Sequence, residues 1–215
     1  MTGSDITGEA PRRGFFARLA GATALGLTGL RATRATAAAA DETSWFGPLK
    51  GRHRQVFDAF HYSDGSALNF AHNFLVSDPE PGAALAVVVL RHNALPIGLN
   101  SVIWEKYQIG EALNITDPET RSIAVKNPLL HPQPGVLLTD DVAIDRLVAA
   151  GVVFGACDMA LHGLSKRLAA RAGASAEEAA REWTANLVTG VTLIPSGVWG
   201  VNRAQEAGCT YCSGG

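Results

Sequence analysis

The chain has 215 residues, 47% hydrophobic and 18% charged, with 18 basic and 20 acidic side chains and three cysteines. This length suits one domain with a proper core, and the slightly acidic balance without a basic run excludes the electrostatic footprint of a nucleic-acid binder. An odd number of cysteines leaves at least one outside any intramolecular disulfide.

Arg12-Arg13, followed by Gly14-Phe15-Phe16 and a thin apolar run, has the order of a twin-arginine export signal. Leu19 to Leu30 is about twelve residues, well short of the roughly 20 that span a bilayer as a helix. Arg31 and Arg34 follow, and Ala35-Thr36-Ala37-Ala38-Ala39-Ala40 offers small-residue cleavage sites near Ala37 or Ala40. Residues 1–40 are therefore expected to be a cleaved signal peptide. The twin-arginine translocase would be a partner during export of a periplasmic or otherwise exported protein that folds before it arrives. No other stretch is long and apolar enough for a stable membrane span. Removing the signal takes five arginines with Asp5 and Glu9, leaving 13 basic and 18 acidic side chains, a net −5.

Residues 41–215 then read as one domain. A polar lead-in, Asp41 to Arg54, carries Trp45, Phe46 and Pro48. Gln55 to Phe60 alternates as a first strand. Leu68, Ala71 and Leu75 share a helical stripe within Ser66–Leu75. Ala83 to Leu90 is a continuous apolar run, the pattern of a strand buried on both faces. A helix is predicted from about Pro96 to Gln108, with proline in its first turn. Ile109 to Leu138 breaks the rhythm with Pro118, Pro128, Pro132 and Pro134, a length that suits a lid, a partner surface or a packing insertion.

Ile144, Leu147 and Val148 describe a helix ended by Gly151, and Val152 to Ala156 is a buried strand. Met159 to Ala170 reads as the next helix, and an Ala- and Glu-rich helix runs from Ser175 to about Asn186. Val191 to Ile194 is a strand. Ser196 caps a last helix over Val198–Glu206, closed by Gly208, and Cys209 to Cys212 forms a short final strand. This alternation predicts an α/β domain: an open, mostly parallel sheet with helices on both faces.

In such sheets, ligands bind beyond the carboxyl ends of the strands. The first strand delivers His61 there, the second Arg91, His92 and Asn93, the third Cys157, and the fourth Ser196 and Gly197. Cys157, between a strand and a helix start, lies near backbone N–H donors and the positive end of a helix dipole, which favour the reactive thiolate. A small buried thiol filling a strand end is the competing reading.

Gly151-Val-Val-Phe-Gly-Ala-Cys157-Asp-Met-Ala-Leu, then Val191-Thr-Leu-Ile-Pro195-Ser-Gly-Val198, then Gln205-Glu-Ala-Gly208-Cys-Thr-Tyr211, resembles the C-terminal half of the DsrE/DsrF-like superfamily. The run at 83–90 ending in Arg91-His92-Asn93 is similar to that family's second strand and loop. The likeness spans roughly residues 54–212, with 109–138 and part of 171–188 as extra or variable sequence. It implies a flavodoxin-like three-layer fold that often forms homo-oligomers. In the sulfur-relay members, a cysteine matching Cys157 carries a persulfide between partner proteins.

Cys209 and Cys212 form a Cys-x-x-Cys pair that closes the chain instead of opening a helix. As part of a strand the two would point to opposite faces. A local disulfide, inert thiols, redox partnership with Cys157 or another protein, and metal binding assisted by His61, His92 or Cys157 all remain open. His53, His72, His131 and His162 read as ordinary surface or packed histidines, and Trp45, Trp104, Trp183 and Trp199 as anchors of the core or an interface. There is no phosphate-binding glycine fingerprint, Gly-x-Ser-x-Gly elbow or haem-attachment motif.

The expectation is an exported persulfide carrier or thiol-redox protein acting through Cys157 and His92, with Arg91, His61, Asn93, Ser196 and Gly197 on the substrate. It requires no cofactor, although a bound metal is compatible with it. The alternative is a non-catalytic periplasmic protein that binds a metal or small ligand, or serves in assembly.

Overall fold

Ala84–Leu90 forms strand β2, and its last five residues are completely buried. An apolar run of this kind belongs at the centre of a sheet covered on both sides. The computed structural model describes Trp45 and residues 49–215; the twin-arginine segment and its cleavage sites lie outside the described residues.

Strand β1 (His53–Ala59) pairs with β2, which pairs with β3 (Val153–Cys157), which pairs with β4 (Val191–Ile194). Strand β5 (Thr210–Ser213) pairs with the other side of β1. All pairings are parallel, in the order β4-β3-β2-β1-β5. The flavodoxin-like three-layer α/β fold follows from this sheet and the helices between its strands.

Helix α1 (Ser66–Ser77) links β1 to β2, α4 (Ile144–Ala149) precedes β3, and α5 (Asp158–Leu168) and α6 (Ala176–Ala185) link β3 to β4. Helix α7 (Gly197–Glu206) carries the chain back across the sheet to β5. Right-handed crossovers keep the helices of successive steps on one face, and the reversed step places α7 on the other. Side chains divide accordingly, with period two along each strand. Phe57, Val88 and Phe154 pack with Leu68 of α1 and Leu147 of α4. Val56, Val87, Val89 and Ile194 pack with Ala204 of α7 and with Trp45.

Trp45 is the main companion of α7 on that face. A Cβ added at Gly155 of β3 would lie 2.4 Å from its Cζ2, and one at Gly200 of α7 would lie 3.2 Å from its Cη2. Gly155 therefore leaves space that the indole fills, and Gly200 makes room first for Ile194 Cδ1, 2.4 Å from such a Cβ, and then for the indole.

The helix predicted from Pro96 to Gln108 is divided. His92–Gly98 is a 3₁₀ helix containing Pro96, and α2 covers only Ser101–Lys106. Between them Leu99 is extended and bridges Leu187, so tertiary pairing overrides the helical pattern. The Pro96 carbonyl accepts the indole N–H of Trp104 at 2.9 Å.

The segment from 109 to 138 begins with α3 (Ile109–Leu113) and an antiparallel bridge between Thr116 and Ile123. Ile109, Ile115, Ala124 and Leu129 are buried, so much of this segment is core. Buried Asn127 ties it in: its Nδ2 donates to the carbonyls of Ile97 and Leu99 at 2.9 and 2.8 Å, and its Oδ1 accepts the Leu129 N–H at 3.1 Å. Opposite the sheet, Trp104, Tyr107 and Trp183 pack with Leu161 and Leu164 of α5. Helix α6 is started by a reciprocal capping box between Ser175 and Glu178.

Candidate functional site

Register brings the site together. Leu90 of β2 pairs with Ala156 of β3, and Cys157 pairs with Ile194 of β4. The residues that follow these pairs leave the sheet at its carboxyl edge, as the topology requires. Six residues expected there from the sequence (Arg91, His92, Asn93, Cys157, Ser196 and Gly197) line one cavity of about 480 Å³.

Cys157 ends β3 and is the N-cap of α5, in an extended conformation. Its Sγ accepts the Ala160 N–H at 3.3 Å, satisfying one of the donors that a helix start leaves open. The residue is only 6% exposed, and that remainder faces the cavity.

Arg91 is fixed from behind. Its Nε donates to Asp58 Oδ1 at 2.6 Å and its Nη2 to Asp58 Oδ2 at 2.8 Å, a bidentate pair that leaves Nη1 outside it. The Tyr211 hydroxyl also donates to Asp58, at 3.3 Å. The hydrogen-bonded carboxylate raises the Arg91 pKa further despite opposing desolvation, so the guanidinium stays charged. Burial, followed by the Asp58 charge, pushes the Tyr211 phenol up as well. A Cβ at Gly197 would lie 2.6 Å from Arg91 Cβ, so only glycine lets the start of α7 pass the arginine stem.

Phe60, read from the sequence only as the end of the first strand, organises the next layer. The Arg91 guanidinium lies 4.5 Å above its ring centroid, His92 stacks on it at 4.0 Å, and His61 meets it edge-on at 4.7 Å. His92 holds a left-handed backbone (φ 47°) at the start of the 3₁₀ turn. Among the described residues no hydrogen bond joins His92 to Cys157. His61 touches Phe60 but does not line the cavity.

Ser196 occupies the N-cap position of α7, but its hydroxyl makes no capping bond, in contrast to the expected cap. The first turn of α7 thus keeps its N–H donors open beside the cavity that Ser196, Gly197 and Val198 line. The opposite wall is a stripe of α5: Ala160, Gly163, Leu164 and Arg167, at helical spacing from Cys157. Arg167 is exposed and has no ion pair or hydrogen bond among the described residues. Among the described residues no carboxylate lines the cavity.

All three cysteines are free. Cys209 packs on the α7 face of the sheet and Cys212 against the opposite core, the separation that strand alternation predicts. Burial pushes the Cys209 thiol up, against a smaller opposing effect of Arg54. The order β3-β2-β1-β5 sets Cys212 about 14 Å laterally from Cys157 at ~4.8 Å per strand. Neither thiol adjoins the cavity. Among the described residues no group of three or more His, Cys, Asp or Glu side chains is placed to hold a metal ion. No family model matches the chain, and no curated protein matches it.

Proposed function

We propose that this chain is an exported, homo-oligomeric DsrE-like protein that carries sulfane sulfur on Cys157 and passes it to a partner protein. One observation carries the reading. The Cys157 sulfur sits at a helix start, on the wall of a largely apolar cavity that Arg91 and Arg167 also line, with no acid among the described residues. That environment suits an anionic sulfur species, and the open first turn of α7 adds to it. In the transfer step the Cys157 thiolate attacks the outer sulfur of a persulfide, polysulfide or thiosulfate. A bond forms between the two sulfurs as the donor's own bond to that sulfur breaks. The bonding pair leaves with the donor thiolate or with sulfite, so no external oxidant or reductant is needed. Arg91, held by Asp58, and His92, held on Phe60, fix the cavity's charge and shape.

Exposure to polysulfide or thiosulfate, followed by mass spectrometry of the intact and digested protein, tests this. Added sulfur on Cys157 is expected, and its absence from Cys157 in folded protein overturns the proposal. Export rests on Arg12-Arg13. Replacing both with lysine is expected to retain the protein in the cytoplasm on fractionation, and an unchanged distribution refutes export by that route.

A further inference from the structure

We infer that Phe60 is a positioning residue of the Cys157 site: its ring holds His92 and backs Arg91, and through them sets how strongly the thiolate prefers an anionic reactant. This rests on the reading of the cavity as a site for anionic sulfur, and assigns to it a residue that does not itself line the cavity.

Strand register is the first argument. Ala59 pairs with Leu90 and Leu90 with Ala156, and the Arg91 N–H still donates to the Ala59 carbonyl at 3.0 Å. The next residues, Phe60, Arg91 and Cys157, therefore form a row across the ends of β1, β2 and β3. Alternation turns the row toward α7, because Val56, Val89 and Gly155, an even number of positions earlier, all belong to the Trp45 face. Neighbours in the row are one strand spacing apart, ~4.8 Å, so Arg91 stands between the ring and the thiol. Asp58 is the largest cause of the raised Arg91 pKa, and the Cys157 charge is felt there too.

Unequal support is the second. Arg91 has two holds, the Asp58 carboxylate at 2.6 and 2.8 Å and the Phe60 ring at 4.5 Å. The His92 ring makes no hydrogen bond or ion pair among the described residues, and stacks on Phe60 at 4.0 Å with 27° between the planes. Its backbone is fixed separately: φ is 47°, and Ala94 to Gly98 of the same turn are buried. A non-glycine residue keeps such a conformation only where its surroundings determine it. Here the buried turn sets the backbone, and Phe60 sets the ring.

The third is chemical. Phe60 is uncharged, so its replacement changes the charge preference of Cys157 only by moving charged or polar neighbours. A ring contact of this kind biases a neighbour's position about two- to fivefold.

Iodoacetate and iodoacetamide alkylate a thiolate with loss of the same iodide and differ in charge. Their rate ratio at Cys157, read by mass spectrometry of the digested protein, therefore reports anion preference. Phe60→Leu is expected to lower the ratio about two- to fivefold, while Phe60→Tyr keeps the wild-type value. A general loosening of the fold speeds both reagents and leaves the ratio unchanged. By NMR, the His92 ring protons, shifted upfield by the stack, should return toward their ordinary positions in Phe60→Leu. A Phe60→Leu ratio equal to that of the wild type, or unchanged His92 shifts, overturns the inference. Sulfur uptake from polysulfide in that case leaves the carrier reading standing alone. The expected ratios without any sulfur on Cys157 remove the carrier reading and leave Phe60 positioning the neighbours of an anion-preferring thiol. Alkylation of Cys157 by neither reagent overturns both.

Discussion

Trp45→Ala removes an indole that is 4% exposed and wedged between Gly155 and Gly200. Large-to-small changes of this kind cost about 3–5 kcal/mol. With a urea m-value of ~2 kcal/mol/M for a domain of this size, the midpoint should fall by about 1.5–2.5 M. Gly155→Ala attacks the same contact from the other side. Its methyl would lie 2.4 Å from Trp45 Cζ2 and 3.0 Å from Ile194 Cδ1. Overpacking costs about 1–3 kcal/mol, partly offset by the ~0.5–1 kcal/mol that alanine saves in unfolded-chain entropy. Because the two changes act on one volume, the alanine methyl in the double variant occupies space the indole vacated. The double variant should therefore lose at least about 1 kcal/mol less than the sum of the single losses. Urea unfolding followed by far-UV circular dichroism measures all four corners of the cycle. Losses that add within about 0.5 kcal/mol would show that Trp45 and Gly155 do not share this space.

Asp58→Asn leaves the Arg91 guanidinium largely buried without its carboxylate, and a loss of about 3–5 kcal/mol is expected in the same assay. A loss under about 1 kcal/mol would mean the pair is solvated. Glu182 accepts from Lys106 Nζ at 2.7 Å and from the Tyr107 hydroxyl at 2.7 Å, and these bonds, Lys106 foremost, lower its pKa. A lowered carboxyl pKa contributes stability above the unfolded value of about 4.3 that is lost as pH falls through the folded one. Denaturation between about pH 6 and pH 3 should thus show Glu182→Gln losing less stability than the wild type, by ~0.5–1 kcal/mol for this partly exposed pair. Identical pH slopes would refute the linkage.

The strands were legible because burial left a direct mark on composition. Ala84–Leu90 reads as one apolar run since both its faces are covered, and Val191–Ile194 sits between turn-forming residues. The sequence also placed Arg91 and Cys157 at strand ends, and register made them neighbours at the carboxyl edge. Asp58 was invisible as a site residue because its role depends on an arginine 33 positions away, reached only through the pairing of β1 with β2. Arg167 reads as an ordinary solvated charge on a helix. Its place in the cavity emerges only when α5 is set against the start of α7. The 3₁₀ turn at His92–Gly98 escaped because Pro96 is equally at home in the first turn of an α-helix. Gly155, alone among apolar neighbours in a strand, was the available signal that something large approaches the backbone there.

The position of β5 sets an order on folding. Gln55 pairs with Thr210, so the second edge of the sheet closes by a contact between distant parts of the chain. Such non-local pairing is slow, because loop-closure entropy is lost before any pairing energy is gained. A nascent chain that has not yet passed Ser213 can assemble β1 to β4 but presents β1 as a bare edge, open to the edge of another molecule. The last strand thus acts as a molecular end-stop: until it docks, the sheet can still grow by recruiting neighbours.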